Sequence, residues 1–385
     1  MTGRVFIHVQ HLLGSGHARR TAAIGAALAA RGFDVEIASG GPPVPGLTTG
    51  DAHLFQLPPL RARDASFKTL IDENGRPVDD TWRAMRRDRL LACCRAHRPD
   101  VVVTELFPFG RRGLEFELLP LIDLVRSMRP RPLILCSLRD VLVAPRDPEK
   151  TERTIRRARD WFDGILVHGD PRLIELPASY PAAQALADRI TYTGYVASPP
   201  CAEAPSGDGA GEVLVSAGGG AVGARLFSAA LSARQAGAAA GRAWRLLLGS
   251  DLPAADRARL IADAGPGLVV EPARPDFVSL LRRCHVSVSQ AGYNTAVDLM
   301  ETNARAVLVP FASEGETEQT QRALALQARG WAELVAEAEL SPQHLAAAID
   351  RAATQPPPAL NTLNCAGALE TARTIERLMS RAALP

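Results

Sequence analysis

The chain has 385 residues, 46% of them apolar, with 44 Lys and Arg against 42 Asp and Glu. That length is too great for one compact core and predicts two domains of ordinary size. The near-neutral balance excludes the basic stripe of a nucleic-acid binder, and no run of eighteen apolar residues offers a membrane span.

The N-terminal residues "MTGRVFIHVQ" carry one early Arg and run straight into a strand-like stretch, so no signal peptide is expected. Six cysteines (Cys93, Cys94, Cys136, Cys201, Cys284 and Cys365) lack any C-x-x-C pairing. They read as reduced thiols of a cytoplasmic protein without structural zinc. Residues 1–200 hold 28 Lys and Arg against 23 Asp and Glu, a mild excess that suits an anionic ligand or a membrane surface.

Taken in chain order, strands are predicted at Val5–Val9, Val35–Ser39, Val101–Thr104, Leu133–Cys136 and Ile165–Val167. Helices fall near Ala18–Arg31, Asp79–Arg95, Leu114–Met128 and Pro148–Trp161. Continuous apolar strands alternating with helices indicate a parallel sheet covered on both faces. Segment 40–78, rich in Pro and Gly, is predicted to be long loops. Around 197–212, "ASPPCAEAPSGDGAG" interrupts the pattern and reads as a linker. The alternation then restarts with a strand at Val213–Ala217, a glycine turn, a helix near Val222–Ala239 and a strand at Arg245–Leu248. Strands near Leu268–Val270, Val286–Ser289 and Ala306–Val309 follow. The fold class is α/β, with two doubly wound Rossmann-like domains in series. Their expected limits are 1–197 and 213–360, with a linker at 198–212. A terminal helix lies in 361–385, where Leu369, Ala372, Ile375 and Leu378 keep helical spacing.

Three turns carry the chemistry. The first, "LLGSGHARR", places Gly14, Gly16 and His17 after the first strand, but Arg19 stands where a dinucleotide fingerprint needs its last glycine. The second, "VLVSAGGGAVGARL", matches G-x-G-x-x-G at Gly218, Gly220 and Gly223, yet no acidic residue ends the next strand at the distance that fingerprint requires. Neither turn has the spacing or the lysine of a nucleotide-hydrolysing phosphate loop. Glycines let backbone amides approach a phosphate and a helix N-terminus adds positive potential, although a tight turn with no ligand has the same pattern. The third turn, Gln290-Ala291-Gly292-Tyr293-Asn294-Thr295, follows a strand and opens a helix that Asn294 or Thr295 would cap. Asp298 and Glu301 lie three apart on that helix, suited either to ribose hydroxyls or to capping. The acidic, amide-rich loop "VPFASEGETEQTQRA" follows, where Glu318 and Gln319 suit sugar hydroxyls and Arg322 lies one turn later. No D-x-D occurs anywhere, so a metal held by such a pair is not indicated.

In this order the pieces resemble the two-domain GT-B glycosyltransferases, and specifically family 28, typified by the N-acetylglucosaminyltransferase of lipid-linked peptidoglycan precursors. Beyond the turns, "TELFPFGRRGLEFELLPLI" (104–122), "SLRDVL" (137–142), "VHGDP" (167–171) and "TGY" (193–195) resemble a group of bacterial glycosyltransferases. The resemblance implies two domains facing a central cleft, with the terminal helix crossing back to the first. It implies transfer of a hexosyl or N-acetylhexosaminyl group from a UDP-sugar to an acceptor hydroxyl, with inversion and without a metal or other cofactor.

Carried onto this chain, the resemblance gives Ser216, Gly218, Gly219 and Gly220 to a phosphate turn. Gln290, Gly292, Tyr293, Asn294 and Thr295 form the diphosphate turn, Asp298 meets the ribose, and Glu318 and Gln319 meet the donor sugar. Gly14, Gly16 and His17 lie at the reaction centre, with His17 as the favoured base, Glu105 the alternative and Asp140 a third. Arg19, Arg112 or Arg139 would bind a phosphate of donor or acceptor. The expected partners are a nucleotide sugar and a hydroxyl acceptor (small molecule, glycan or lipid-linked), with no nucleic acid and a peripheral contact at the inner face of a membrane. Two other readings fit the same residues: a UDP-sugar epimerase or hydrolase, and a non-catalytic nucleotide-sugar-binding protein.

Overall fold

The computed structural model describes residues 3–64, 69–197, 205, 207–218, 223–249, 252–312, 317–359 and 362–382. Contacts divide the chain into a first unit, Met1–Ala197 with Ala366–Pro385, and a second, Ser198–Cys365.

The first unit runs β1 (Arg4–Val9), α1 (Gly16–Ala29), β2 (Asp34–Ser39), β3 (His53–Gln56), β4 (Arg61–Ala62) and β5 (Leu70–Ile71). It continues through α2 (Asp80–His97), β6 (Val101–Glu105), α3 (Glu115–Ser127), β7 (Leu133–Arg139), α4 (Pro148–Trp161), β8 (Gly164–His168), α5 (Leu176–Ser179) and β9 (Ile190–Tyr192). Seven of these strands form one parallel sheet in the order β3-β2-β1-β6-β7-β8-β9. Segment 40–78, expected as loops, supplies the edge strand β3 and the small antiparallel pair β4–β5. β3 has only four residues, none of them buried, so no apolar run marks it.

Apolar residues alternate between the two faces of the sheet, as successive strand side chains must. Phe6, Val102, Ile134 and Ile165 pack with Leu90, Leu118 and Leu121 of α2 and α3. Val5, Ile7, Val103 and Leu135 pack with Ile24 and Leu28 of α1. Two helices start where the sequence supplies a cap: Asp79 accepts from the Trp82 amide at 2.8 Å, and Asp147 from that of Glu149 at 3.0 Å.

The second unit runs β10 (Val213–Ser216), α6 (Ala224–Ala233), β11 (Trp244–Leu248), α7 (Ala254–Ala262), β12 (Leu268–Pro272), α8 (Phe277–Arg283) and β13 (Val286–Ser289). Then follow α9 (Tyr293–Thr302), β14 (Ala306–Leu308), α10 (Glu318–Ala328), β15 (Glu333–Leu334) and α11 (Pro342–Thr354). Its six strands are parallel in the order β12-β11-β10-β13-β14-β15. The helix expected near 222–239 is described only over Ala224–Ala233; Gly237, at φ 72°, follows in a turn that a helix does not tolerate. The expected linker is already part of this unit by its end, since buried Arg245 pairs with Glu212 at 2.7 Å and with Asp208 at 3.0 Å.

The final helix, α12 (Gly367–Ala382), belongs to the first unit, where Ala372 and Ile375 join the core beneath β1 and α1. No helix among the described residues is long and apolar enough to cross a membrane.

Candidate functional site

Both sheets reverse their strand order once, between β1 and β6 and between β10 and β13. At such a switch point the loops leaving two adjacent strands diverge and open a crevice beyond their carboxyl ends. The three glycine turns follow β1, β10 and β13, and Glu105 ends β6, so all four lie at these two places.

In the first unit, the exit of β1 is held by Gln10. Its Nε2 donates to the carbonyls of His11 and Leu60, both at 2.7 Å, and its Oε1 accepts from Arg86 Nη2 at 2.6 Å. Arg86 is itself buried and pairs with buried Glu117 at 2.7 Å, so this anchor is a closed polar network. The chain then turns at Gly14, whose φ of 66° favours glycine, and enters α1 at Gly16.

His17 stands in the first turn of α1, 16% exposed, and its Nδ1 lies 2.6 Å from Oε1 of Glu105 at the end of β6. Fully buried Glu105 receives a second bond on the same oxygen from Arg20 Nη2 at 2.5 Å. Burial works to raise the Glu105 carboxyl, but His17, Arg20 and Arg111 outweigh it and hold the group well below the usual carboxylate range. An ionised carboxylate can only accept, so Nδ1 of His17 carries the proton and Nε2 keeps its lone pair. Burial lowers His17 to about 4; the Glu105 charge resists that shift, and Arg111 and Arg20 reinforce it. A histidine in the first turn of a helix is also disfavoured as a cation. The product is a neutral imidazole, oriented from behind.

The structure redistributes the candidate arginines. Arg19 is exposed and bonds Ser15 Oγ at 3.2 Å, and Arg112 is exposed in the turn before α3. Arg20 and Arg111 occupy the site instead. Arg20 was legible as the residue three after His17, hence on the same helix face; Arg111 was not, because its placement depends on a left-handed φ of 62°. Arg139 ends β7 and lies close enough to Arg111 for their charges to oppose. Buried Asp140 accepts from its neighbour's amide at 2.9 Å and from the Tyr195 hydroxyl at 3.3 Å, which commits it to the scaffold.

In the second unit, Ser216 and Ser289 are register partners at the ends of β10 and β13, so the two glycine turns leave the sheet side by side. Gly218 has φ 63°, and a Cβ on Gly223 would lie 2.4 Å from that of Ala217. The first and last glycines thus serve the tight turn and the close helix–strand contact. Gly219 and Gly220 lie outside the described residues. Gly292 is the N-cap of α9, without a side-chain cap bond, and a Cβ there would meet open space. The expected caps Asn294 and Thr295 are instead inside the first turn of α9, because the helix begins at Tyr293. Asp298 is buried one turn further on, and burial raises the carboxyl of Glu301.

The expected acidic loop ends in a helix that begins at Glu318. Gln319 Oε1 accepts from the amides of Ala291 and Phe311, both at 3.1 Å, so its oxygen is committed to the turns and only the Nε2 end remains for a ligand. Fully buried Arg322 donates to the Ala291 carbonyl at 2.7 Å and to Glu318 at 2.8 Å, with its guanidinium 5.8 Å from the Tyr293 ring centre. Gln319 and Arg322 therefore grip both polar groups of one residue in the third turn. Among the described residues no group of three or more His, Cys, Asp or Glu side chains is arranged to hold a metal ion.

Residues 214–378 match the model of the glycosyltransferase family 28 C-terminal domain. A UDP-N-acetylglucosamine--N-acetylmuramyl-(pentapeptide) pyrophosphoryl-undecaprenol N-acetylglucosamine transferase of Brucella canis is 31% identical over 141 residues, which is 36% of this chain and 37% of the relative. The match thus spans about a third of the length of that curated relative. Among solved structures, the calicheamicin glycosyltransferase CalG4 superposes with a TM-score of 0.60 at 15% identity, covering 100% of this chain and 97% of its own. MurG of Acinetobacter baumannii gives 0.57 at 15% identity, covering 98% and 99%. The chain therefore shares the GT-B fold of these glycosyltransferases, and its residues 214–378 match a family 28 C-terminal domain.

Proposed function

We propose that the chain transfers a hexosyl or N-acetylhexosaminyl group from a UDP-sugar to an acceptor hydroxyl, with inversion and without a metal. The observation that carries this reading is the pair of glycine turns leaving register partners Ser216 and Ser289, each opening an α-helix whose N-cap makes no side-chain bond. Glycines at the two helix N-termini suit a diphosphate, and the open space at Gly292 leaves room for one. The choice of uridine and of an amino sugar is supported by the name of the Brucella relative, which is similar to this chain over part of its length.

In the first unit His17 is the general base. Its Nε2 takes the proton of the acceptor hydroxyl as that oxygen attacks the anomeric carbon and the carbon–oxygen bond to UDP breaks. Glu105 holds the imidazole in the required tautomer and stabilises the imidazolium that forms, while the amides of the second unit receive the charge of the leaving diphosphate. A single displacement of this kind inverts the anomeric configuration.

A thermal-shift screen against UDP, GDP, TDP and their sugars is expected to give a UDP-selective rise in Tm; a TDP- or GDP-selective rise overturns the donor assignment. Because fixed amides do the work of a cation, sugar transfer to an acceptor pool is expected to survive EDTA. Complete loss of activity restored by manganese would refute metal independence.

A further inference from the structure

We propose that His168 is a positioning residue for the His17–Glu105 pair: it accepts the one proton of the Ser137 hydroxyl and so keeps that proton off Glu105 Oε2. This deepens the reading of His17 as the base and rests on it. Glu105 and Ser137 are register partners on β6 and β7, and Arg139 and His168 are partners on β7 and β8. Partners in a parallel sheet share a face, and so do residues two apart on one strand. Glu105, Ser137 and His168 therefore project from one face, the one on which Val103, Leu135 and Leu166 pack against α1 and α12. Neighbouring strands lie about 4.8 Å apart, which sets the Ser137 hydroxyl beside the Glu105 carboxylate. Glu105 Oε1 is filled by His17 and Arg20, whereas buried Oε2 accepts no hydrogen bond, with Arg111 Nη2 at 3.8 Å.

The direction of the Ser137 proton follows from the far side of the imidazole. Ser137 Oγ lies 2.8 Å from His168 Nε2, and His168 Nδ1 lies 2.8 Å from Thr193 Oγ1 and 3.4 Å from Thr371 Oγ1. Each threonine hydroxyl has a single proton to give. Thr371 gives its own to the Gly367 carbonyl at 2.6 Å, and Thr193 directs its own at that of Val167, at 3.5 Å. Both therefore accept from His168, so Nδ1 carries the proton and Nε2 takes the Ser137 hydroxyl. The imidazole is neutral: burial lowers it to about 3, Arg20 adds to that shift and Glu105 opposes it. Thr371 is fixed in place because the Gly367 amide donates to the Tyr195 carbonyl at 2.8 Å, and a Cβ on Gly367 would collide with the carbonyl of Gly194. The titratable groups facing His17 and Glu105 are thus Arg20 of α1, Arg111 before α3, Cys136 of β7 and His168 of β8, with Arg139 beside Arg111. A bond from Ser137 to Oε2 would favour the free carboxylate and weaken its hold on the His17 proton and on the imidazolium formed in the reaction. Ser137 is 3% exposed and His168 fully buried, so neither reaches a substrate and their effect passes through Glu105.

The test follows the His17 Nδ1 proton of the full-length protein by NMR at neutral pH, its downfield resonance assigned by its loss in H17A. In His168→Leu the Ser137 hydroxyl is free to bond Oε2. The resonance is then expected to move upfield, and UDP release from UDP-N-acetylglucosamine to fall about tenfold, the order of one hydrogen bond to a charged group. His168→Gln, whose side-chain oxygen replaces Nε2 as the acceptor, should keep the resonance and most of the rate. Adding Ser137→Ala to H168L removes the misplaced proton and should restore the resonance, whereas a merely structural loss would persist or deepen. A wild type without the resonance, an unmoved resonance in H168L, or one that S137A fails to restore overturns the proposal. If H168L does not fold, S137A alone decides. Glu105 receives nothing from Ser137, so the resonance must stay where the wild type has it, and a downfield move sinks the proposal. Should H17A prove as active as the wild type, the reading of His17 as base fails, while the resonances still decide whether His168 guards Glu105.

Discussion

His17→Ala is expected to lower kcat by about 10²- to 10⁴-fold, the usual worth of a positioned general base, with UDP affinity unchanged. The proposed donor groups lie on the second unit and His17 on the first, so on that reading the substitution removes proton transfer and leaves the donor contacts in place. UDP release from UDP-N-acetylglucosamine, with water in place of the acceptor, gives the assay before an acceptor is known. Glu105→Gln should cost nearly as much, and its effect on pH separates an orienting carboxylate from a base. Glu105 opposes the depression of His17, which stands at about 4, so its removal leaves Arg20 and Arg111 unopposed and drives the imidazole lower still. The acid limb of the profile then moves down while the rate falls, because a weaker base is unprotonated further into acid yet accepts a proton less readily. Removing Arg111 acts with the opposite sign and moves His17 up. If Glu105 were itself the base, E105Q would abolish the acid limb rather than shift it. Activity of H17A within about threefold of the wild type would rule His17 out.

The two doubly wound sheets were legible because their strands are continuous apolar runs bounded by glycine turns; Val5–Val9, Val101–Thr104 and Val286–Ser289 match observed strands to within a residue. Strands β3, β9 and β15 escaped notice. Each has two to four residues and is at most half-buried, so none has the apolar run that marks a central strand. At the candidate site, His17 and Glu105 stood out singly, each at the end of a predicted strand or its turn. Their contact was not readable, since 88 residues separate them and only the β1–β6 pairing brings them together. Beside Glu105 the structure places Arg20 and Arg111, each one position away from the expected Arg19 and Arg112. The helical phase of Arg20 is readable from His17 three residues earlier. The position of Arg111 depends on backbone in a region that sequence patterns do not encode. Gln319 illustrates a different limit: its residue type suits sugar hydroxyls, but half of its hydrogen-bonding capacity is spent inside the protein.

Replacing Arg322 with methionine is expected to destabilise the second unit by about 3–5 kcal/mol, the cost of breaking a buried ion pair from one side. Arg322 is the fully buried partner of Glu318 and the donor to the Ala291 carbonyl, so its loss strands a carboxylate and a backbone oxygen together. At roughly 2–4 °C of Tm per kcal/mol for a unit of this size, the shift is large enough to read by calorimetry. Glu318→Gln in the same chain should recover part of the loss, because it removes the stranded charge; a double variant no more stable than R322M would place the energy elsewhere. The functional consequence follows from which residue is held. Ala291 lies two residues after register partner Ser289 and one before Gly292, so its peptide sets the direction from which the amides of α9 would face the proposed diphosphate. Gln319 still grips the Ala291 amide in R322M, but the carbonyl is released and the plane of the next peptide is free to rotate. UDP is therefore expected to bind R322M more weakly at temperatures well below its Tm, where the unit is folded. Unchanged UDP affinity alongside the lost stability would show that the grip serves the fold and not the ligand.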